Sequence, residues 1–426
     1  MKNRLFSHLG LADPIRRALD AKNYVHPTPI QAQAIPQLIQ GRDMLGIAQT
    51  GTGKTAAFAL PILHRLSAAG ATSGSRSERR HPRALILAPT RELAIQIGEE
   101  IQAYGRYLDL RHTVIFGGVG QRPQVAALQR GADIVVATPG RLIDLMNQGR
   151  LSLDRIQTLV LDEADRMLDM GFVRDVRRIV AALPKRRQSM LFSATMAAEI
   201  TRLADQILDD PVRVEVTPRA TPVELIEQTV YHVQTPDKAA LLAQILKDPA
   251  LSRVIVFSRT KHRANRVVER LAKNGTNAEA IHGNKSQAAR QRALAGFREG
   301  KVRVLVATDI AARGIDVDGV THVINFELPN EAESYVHRIG RTARAGAQGI
   351  ALSFCDTSER AYLREIEKLI GRRISLAEGS PAGQAQQAPA NAKGPRADAG
   401  AKRARQQRSR NRRRGSKRAA SLRPAA

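Results

Sequence analysis

Three carboxylates stand within four positions in the segment TLVLDEAD, residues 158–165, directly after a short apolar run. They belong to Asp162, Glu163 and Asp165. Burying a carboxylate is costly unless a cation or hydrogen bonds compensate its charge. Acids at the start of a helix can also cap free N–H groups and offset the helix dipole. The segment alone therefore leaves helix capping and ion binding as alternatives.

A glycine-rich segment, AQTGTGKT at residues 48–55, lies between an apolar run and a helical pattern. Gly51 and Gly53 allow the backbone to approach phosphates, and the N–H groups of the loop can surround them. Lys54 would reach the β- and γ-phosphates, and Thr55 would bind Mg²⁺. Ala48 stands where this pattern usually begins with glycine. An ordinary glycine turn is the alternative.

The two segments fit one site. A nucleoside triphosphate brings Mg²⁺, and a carboxylate at the end of a strand can hold that ion. Asp162 is then the metal ligand, and Glu163 orients or deprotonates the attacking water. Parallel strands bring their C-terminal ends to one edge of a sheet, so separation along the chain is no objection. We expect ion binding to be the main role of these acids and capping a minor one.

Short apolar runs alternate with helical patterns, which indicates parallel sheets covered by helices on both faces. The alternation occurs twice, first through ALILAP, DIVVAT, TLVL and SMLFSA and later through VIVFS, VRVLVAT, THVINF and GIALSF. A proline-containing segment separates the two blocks. We predict a first α/β domain at 1–208, a linker at 209–224, a second α/β domain at 225–376 and a disordered basic tail at 377–426.

The composition narrows the class of partner. The formal net charge is +27, and the 50 residues from Ala377 contain 13 Lys or Arg against 2 Asp or Glu. That tail carries +11 and leaves +16 for the remainder, so nucleic acid is the expected partner. There is no apolar run of transmembrane length and no secretory signal. The single cysteine excludes an internal disulfide framework, and we expect a cytoplasmic protein.

Asp162, Glu163, Ala164 and Asp165 spell D-E-A-D, and with AQTGTGKT they resemble the DEAD-box family of ATP-dependent RNA helicases. The resemblance runs from about Phe6 to about Leu376. It implies two tandem RecA-like domains, each a parallel sheet flanked by helices. The short basic tail resembles that of the bacterial RhlE-like branch. The catalytic residues that the resemblance implies are Lys54, Asp162, Glu163, Arg341 and Arg344.

HPTPIQ, residues 26–31, resembles the family's adenine-recognition motif. The resemblance implies that Gln31 bonds the adenine edge, since an amide offers a donor and an acceptor together, and that Phe6 stacks on the ring. Asn23 stands where the family usually has glycine. The implied nucleotide-binding residues are Phe6, Thr28, Gln31, Ala48, Gln49, Thr50, Gly51, Thr52, Gly53, Lys54, Thr55 and Asp316, with Thr55 and Asp162 binding the metal.

Six further segments resemble the family's RNA- and nucleotide-contacting motifs. They are PTRELA, GG and TPGR in the first domain and VIVFSRT, QAAR and ATDIAARGIDV in the second. Small side chains, hydroxyls and arginines suit phosphates and sugars rather than base edges. The implied RNA-binding residues are Pro89, Thr90, Arg91, Gly117, Gly118, Thr138, Pro139, Gly140, Arg141, Ser258, Arg259, Gln287, Arg290 and Thr308.

YVHRIGRTARAG, residues 335–346, resembles the family's arginine-finger motif, with Ala343 in place of a frequent glycine. Arg341 and Arg344 would stabilise charge on the γ-phosphate. Two arginines three positions apart are otherwise an ordinary solvated helix face. SAT at 193–195 resembles the element that couples hydrolysis to strand separation. The implied coupling residues are Asp165, Ser193, Thr195, His337 and Arg338, of which the last two would link to the first domain's site.

The resemblance implies ATP hydrolysis that RNA stimulates and that is coupled to local duplex unwinding or ribonucleoprotein remodelling. ATP and Mg²⁺ are the expected cofactors. RNA is the expected partner, bound through its backbone with little sequence specificity, and ribosomal or RNA-decay assemblies are further partners to consider. We expect a monomer and no membrane association. The alternatives are a DNA-directed helicase, a passive RNA-binding or annealing chaperone, and a membrane-surface protein that uses the basic tail.

Overall fold

The computed structural model describes residues 5–49, 51–68, 81–216, 226–312, 317, 319–343 and 348–377. These residues form two parallel β-sheets of seven strands each, with helices packed on both faces. The fold class expected from the sequence is confirmed. None of the helices in these ranges is long and apolar enough to cross a membrane.

The first sheet contains strands β1 to β7, and the second contains β8 to β14. In chain order they are β1 Met44–Ile47, β2 Ala84–Leu87, β3 His112–Ile115, β4 Ile134–Ala137, β5 Thr158–Leu161, β6 Gln188–Ser193, β7 Val212–Glu215, β8 Ile226–His232, β9 Val254–Phe257, β10 Ala278–Ile281, β11 Val304–Ala307, β12 His322–Asn325, β13 Gly349–Cys355 and β14 Ser375–Leu376.

The helices lie between these strands and before the first one. They are α1 Asp13–Asp20, α2 Pro29–Ile39, α3 Lys54–Ala68, α4 Arg91–Tyr104, α5 Arg122–Gln129, α6 Pro139–Asn147, α7 Ala164–Asp169, α8 Val173–Ala181, α9 Ala198–Ile207, α10 Lys238–Ile245, α11 Lys261–Lys273, α12 Gln287–Arg298, α13 Asp309–Ala312, α14 Ala332–Ile339 and α15 Arg360–Ile370.

The second sheet repeats the topology of the first. The strand orders are β3-β4-β2-β5-β6-β1-β7 and β10-β11-β9-β12-β13-β8-β14. Numbered from its own first strand, each sheet reads 3-4-2-5-6-1-7. The two blocks of apolar runs in the sequence are therefore two copies of one architecture.

The burial of each strand explains whether it could be predicted from the sequence. Every residue of β2, β4, β5, β9, β11 and β12 is buried, because helices cover both faces of the sheet there. Such strands read as continuous apolar runs. The outer strands β3, β7 and β10 are partly exposed and β14 is exposed, and their short mixed sequences carry no comparable signal.

One predicted boundary is wrong. Residues 212–215, assigned to the linker, form β7 and pair with β1 over the register from Met44↔Val212 to Ile47↔Glu215. Val214 is buried in the first core, whereas Arg213 and Glu215 face outward, as expected of an edge strand. The first domain therefore extends to at least Glu215. Residues 217–224 of the predicted linker lie outside the described ranges.

Candidate functional site

The first-domain motifs meet at the C-terminal edge of the first sheet. The loop after β1 carries the glycine-rich segment, the loop after β2 carries Pro89 and Thr90, and the acids follow β5. Thr138 follows β4 in the same way. Parallel strands impose this convergence, so residues more than a hundred positions apart share one edge.

The phosphate loop takes the backbone conformation that its glycines allow. Gly51 and Gly53 have φ values of 85° and 89°, in the left-handed region that favours glycine. A Cβ atom on Gly53 would lie 2.3 Å from the Gln31 Nε2 atom, so a side chain has no room there. Lys54 is buried, and its Nζ donates to the Ala48 carbonyl at 2.7 Å. Thr52 Oγ1 donates to the Gln49 carbonyl, and Thr55 is the second residue of α3.

The adenine motif is bonded directly to the phosphate loop. Gln31 Nε2 donates to the Gly53 carbonyl at 3.1 Å, and Gln31 Oε1 accepts from the Thr28 amide at 2.9 Å. An amide carries two donor hydrogens and two acceptor lone pairs, so one of each remains for a base edge. Phe6 is buried, its amide donates to the Val25 carbonyl, and its ring stacks on Tyr24 with centroids 6.3 Å apart.

The acids form a buried pair at the end of β5. Asp162 is 2% exposed and Glu163 is 5% exposed. Burial raises the pKa of Asp162 to about 7, against the opposing charge of Lys54. Glu163 has a φ of 53°, a costly backbone conformation for a glutamate, of a kind that clusters at functional sites. Its amide donates to Asp162 Oδ1 at 3.0 Å.

An arginine of the second domain reaches these acids. Arg341 is 7% exposed and lies within electrostatic range of Glu163 and Arg166. Burial works to raise the pKa of Glu163, but the charges of Arg166, Lys54 and Arg341 together hold it below its usual value. Burial lowers the pKa of Arg341 to about 10. The nucleotide site is therefore built from both domains.

Arg166 is a residue that the sequence reasoning missed. Its guanidinium forms an ion pair with Glu163 on the preceding turn. It also lines a cavity between the domains together with His337, Arg338 and Arg341. The sequence did offer a signal for Arg166, because a basic residue stands directly after the acid motif. The arginine there can lie between Glu163 and the second domain.

Asp165 connects the acids to the SAT segment. Its Oδ2 accepts from the amides of Ala194 and Thr195 at 3.0 and 3.1 Å and from the Thr195 hydroxyl at 3.3 Å. Ser193 is fully buried, and its hydroxyl donates to the Thr195 carbonyl. A movement of the acid loop would thus be passed to residues 193–195.

Arg338, which the resemblance assigned to a link with the first domain's site, makes its hydrogen bonds within the second domain. Its guanidinium bonds both carboxylate oxygens of Asp309, the Asn325 side chain and the Glu327 carbonyl, all within the second domain. The side chain is 1% exposed and lies over the Phe257 ring. Arg338 thus supports α13 and also lines the cavity between the domains. Its link to the first domain's site stays a prediction. Asp309, next to the predicted RNA contact Thr308, is a second missed residue.

The RNA motifs of the first domain lie around the start of α4 and α6. Thr90 caps α4 by accepting from the Leu93 amide, and Arg91 packs on the glycine pair. Gly118 has a φ of 77°, in the left-handed region that favours glycine, which explains the residue at this position. Arg141 donates to the Val119 carbonyl. The remaining predicted contacts of this domain lie beside them, namely Pro89, Gly117, Thr138, Pro139 and Gly140.

Gln287 and Arg290 occupy a contact between the domains rather than an open RNA surface. Gln287 Nε2 donates to Glu92 Oε1 at 2.8 Å, and Arg290 Nη2 lies 3.1 Å from the same oxygen. The side chains of Arg290 and Glu92 are 11% and 6% exposed. Glu92, inside PTRELA, was missed because its role depends on a partner almost two hundred residues away. Arg91 also donates to Gln287 at 3.5 Å.

Two further RNA predictions in the second domain lack support in the geometry. Ser258 is fully buried, and its hydroxyl donates to the Thr260 carbonyl. Arg259 is ion-paired with Glu327 and Glu359, so its charge is already balanced. Both follow β9, where Ser258 is buried and the Arg259 side chain is 28% exposed. Thr50, Asp316 and Arg344 lie outside the described residues.

Two family models match this chain. Residues 28–203 match the model described as DEAD/DEAH box helicase, and residues 237–346 match the helicase conserved C-terminal domain. The first matched range falls within the first α/β domain and the second within the second α/β domain.

Solved structures resemble both the fold and the arrangement of the domains. Dbp5 of S. cerevisiae bound to RNA and ADP BeF3 is 32% identical, with a TM-score of 0.75 over 90% of this chain and 98% of that one. A Dbp5 variant bound to Nup159, Gle1, IP6 and ADP is also 32% identical and gives 0.60 over 88% and 97%.

The chain is similar in sequence to curated proteins whose names state an activity. The chain is 42% identical over 369 residues to the DEAD-box ATP-dependent RNA helicase CshA of Bacillus cereus, covering 87% of this chain and 69% of the relative. CshA of Geobacillus kaustophilus is 43% identical, with 87% and 77% covered. The suggested RhlE-like affiliation stays a prediction. Identity of this degree, over more than two thirds of each relative, means that the chain belongs to the DEAD-box family of ATP-dependent RNA helicases.

Proposed function

We propose that this helicase hydrolyses ATP in a site that is completed only when RNA brings its two domains together. One observation carries the proposal: Arg341 of the second domain lies within electrostatic range of Glu163, the acid beside the phosphate loop. The fingers and the phosphate loop belong to separate domains, so their approach depends on domain closure. An arginine supplied in this way is worth roughly 10³ to 10⁵ in rate.

RNA would favour closure because its predicted contacts lie on both domains. Arg91 and Arg141 belong to the first domain and Thr308 to the second. Arg91 also donates to Gln287, which lies in the contact between Glu92 and Arg290. A strand bound across the two domains adds its own binding free energy to this contact. Backbone contacts give little sequence preference. RNA is the partner of this family of enzymes, and ribosomal or RNA-decay assemblies remain candidates for the cellular setting.

Mg²⁺ is the metal that this donor set suits. Asp162 offers a buried carboxylate and Thr55 a hydroxyl, both hard oxygen ligands. Burial raises the pKa of Asp162, and a divalent cation bound beside it would favour the charged carboxylate. Bound with ATP, Mg²⁺ would neutralise charge on the β- and γ-phosphates. Asp162 and Thr55 would hold it together with phosphate oxygens.

The chain's own residues would then divide the chemistry. Lys54 leaves the Ala48 carbonyl and binds the β- and γ-phosphates. Glu163 orients the attacking water and accepts its proton, while Arg341 stabilises the charge that develops on the γ-phosphate. Asp165 transmits the change to Thr195, to which it is bonded. We propose that hydrolysis then lets the domains part and releases a locally separated RNA strand.

We also propose that the protein acts as a monomer in the cytoplasm. The single cysteine, Cys355, is buried inside the second domain, which suits a protein that uses no disulfide. A sedimentation profile that stays monomeric at micromolar concentration, and fractionation of cells, would check these two points.

The first testable prediction concerns Glu163→Gln, which keeps the side-chain shape and removes the base. RNA-stimulated hydrolysis should fall by about 10² or more, while ATP and RNA still bind. The measurement is steady-state ATPase at saturating RNA together with binding of a fluorescent ATP analogue. Asp169→Asn is the matched control, since it removes an exposed carboxylate from the neighbouring helix α7. Near-normal turnover in Glu163→Gln would remove Glu163 from the proposed role.

The preference for RNA is tested with the unmodified chain. Equal stimulation of its ATPase by a matched DNA strand would contradict that preference.

A further inference from the structure

A groove of about 640 Å³ lies on the first domain at the edge of the sheet opposite the nucleotide site. It is formed where β3 and β4 begin, between the end of α4 and the end of α5. Its volume falls within the range of small-ligand pockets. None of the motifs described above contributes to it. Its lining residues include Leu63, Ile101, Leu108 and Leu110 as an apolar floor.

The groove is rich in positive charge. Arg106, Arg111 and Arg130 line it and are exposed, and no acidic side chain is among its lining residues. Asp109 in the adjoining loop contributes one negative charge nearby. Asp133, at the start of β4, is buried and already paired with Arg83 and the Arg111 amide. The surface therefore keeps a net positive charge.

Two elements lead from this groove to the RNA-contacting loops. The edge strand β3 begins at His112 in the groove and ends shortly before Gly117, a span of about 13 Å for four residues. Helix α4 begins at Arg91 and ends beside the groove, a length of about 20 Å. One strand of double-stranded DNA carries a phosphate about every 3.4 Å along its axis, and a stacked RNA strand has a spacing of this order. Four to six nucleotides would therefore reach from the motifs to the groove.

We propose that this groove, lined by Arg106, Arg111 and Arg130, is a second RNA-binding surface that holds nucleotides flanking the strand bound by the motifs. The arginines would bind phosphates, and the apolar floor would pack against bases or sugars. A protein partner with an acidic segment could also bind these arginines. Such a partner would not explain why β3 connects the groove to the RNA-contacting loops. The inference rests on the proposed function only in taking RNA as the substrate.

The test compares RNA strands of ten nucleotides with the same strands extended by ten unstructured nucleotides at either end. Binding is measured by fluorescence anisotropy with the full chain and a non-hydrolysable ATP analogue, over a series of salt concentrations. The wild-type chain should bind at least one of the extended strands more tightly than the short one. The variant Arg106→Gln/Arg111→Gln/Arg130→Gln should lose most of that gain. Its salt slope on this strand should fall by about two units if three phosphates are released, at about 0.7 for each.

Gln102→Glu is a second, milder variant, because it places a carboxylate on the groove without removing an arginine. It should reduce the same gain. The matched control is Arg174→Gln/Arg177→Gln/Arg186→Gln, which removes three exposed charges around α8, a helix packed on the other face of the sheet. This control should keep the gain. ATPase at saturating short RNA should be unchanged in all three proteins, which separates this proposal from the catalytic one.

Three results would overturn the proposal. The first is a full gain from the extension in the groove variant, and the second is an equal loss in the α8 control. The third is abolition of the gain by a millimolar nucleoside monophosphate, which would identify a pocket for free nucleotides. The tail is present in every protein compared, so its contribution does not affect the comparison.

Discussion

The chemistry of single residues in this site depends on burial as much as on identity. Glu163 and Asp162 are neighbours in the sequence, yet burial raises the pKa of one while three cations hold that of the other low. Lys54 was predictable because a phosphate-binding loop requires glycines and a lysine at fixed positions. The acids were predictable because they directly follow an apolar strand. Arg166 and Glu92 were not, because their roles arise from partners that only the folded chain brings close.

Asn23 illustrates a departure from the family pattern that the fold accommodates. It follows α1 with a φ of 56°, and the Tyr24 amide donates to the Leu19 carbonyl, which closes a Schellman-type turn. Asparagine tolerates this left-handed conformation better than other residues with a Cβ. The same turn precedes Tyr24 and Val25, which contact Phe6.

Asn23→Ala should therefore destabilise the first domain by about 1 kcal/mol, because alanine has no local hydrogen bond to offset the strain. Asn23→Gly should change its free energy of unfolding little. Urea unfolding followed by circular dichroism measures both. An alanine variant as stable as the glycine variant would mean that the turn does not require this conformation.

At the scale of elements, the central strands were predictable and the contacts between helices were not. Strands such as β5 are buried on both faces and read as apolar runs, whereas β7 was placed in the linker because an edge strand needs only alternate apolar residues. The contact between α4 and α12 left no local pattern. It joins Glu92 to Gln287 and Arg290 through one carboxylate oxygen.

The contact between α4 and α12 should control closure. Glu92→Gln leaves Arg290 buried without its carboxylate, at a cost of about 2 kcal/mol or more. RNA affinity in the presence of an ATP analogue should fall by about thirtyfold, while RNA-free ATP binding stays unchanged. Fluorescence anisotropy with labelled RNA measures this.

Glu99→Gln is the control, since the same two helices place Glu99 3.7 Å from Arg298 with both side chains exposed. An exposed pair contributes at most about 1 kcal/mol, so the loss should stay below about fivefold. The exchange Glu92→Arg/Arg290→Glu should recover part of the affinity. Equal effects of Glu92→Gln and Glu99→Gln would show that burial of the pair is unimportant.

At the scale of the whole molecule, two copies of one architecture supply complementary halves of a site. The first domain has the phosphate loop and the acids, and the second has Arg341. The basic tail from residue 378 lies outside the described residues, and its role stays a prediction. The second sheet ends with β14, and the Ala377 amide donates to the Val230 carbonyl.

A chain ending at Ala377 should therefore keep both sheets and its maximal ATPase rate at saturating RNA. It should need more RNA to reach that rate, because the tail carries a net charge of +11. The log–log salt dependence of RNA binding should be shallower by about two to four units if three to six phosphates are released. Parallel salt slopes for the full and shortened chains would mean that the tail does not bind RNA.

The central claim is that RNA and ATP together complete the site by bringing the domains into contact. Fluorescent labels at Arg177→Cys and Glu269→Cys, both exposed positions on different domains, report the distance between the domains. Burial raises the pKa of the Cys355 thiol to about 11, so the natural cysteine should not compete for the label. We expect high energy transfer only when RNA and a non-hydrolysable ATP analogue are both present, and low transfer with either alone. Full closure with the analogue alone, or no closure with both, would contradict the account.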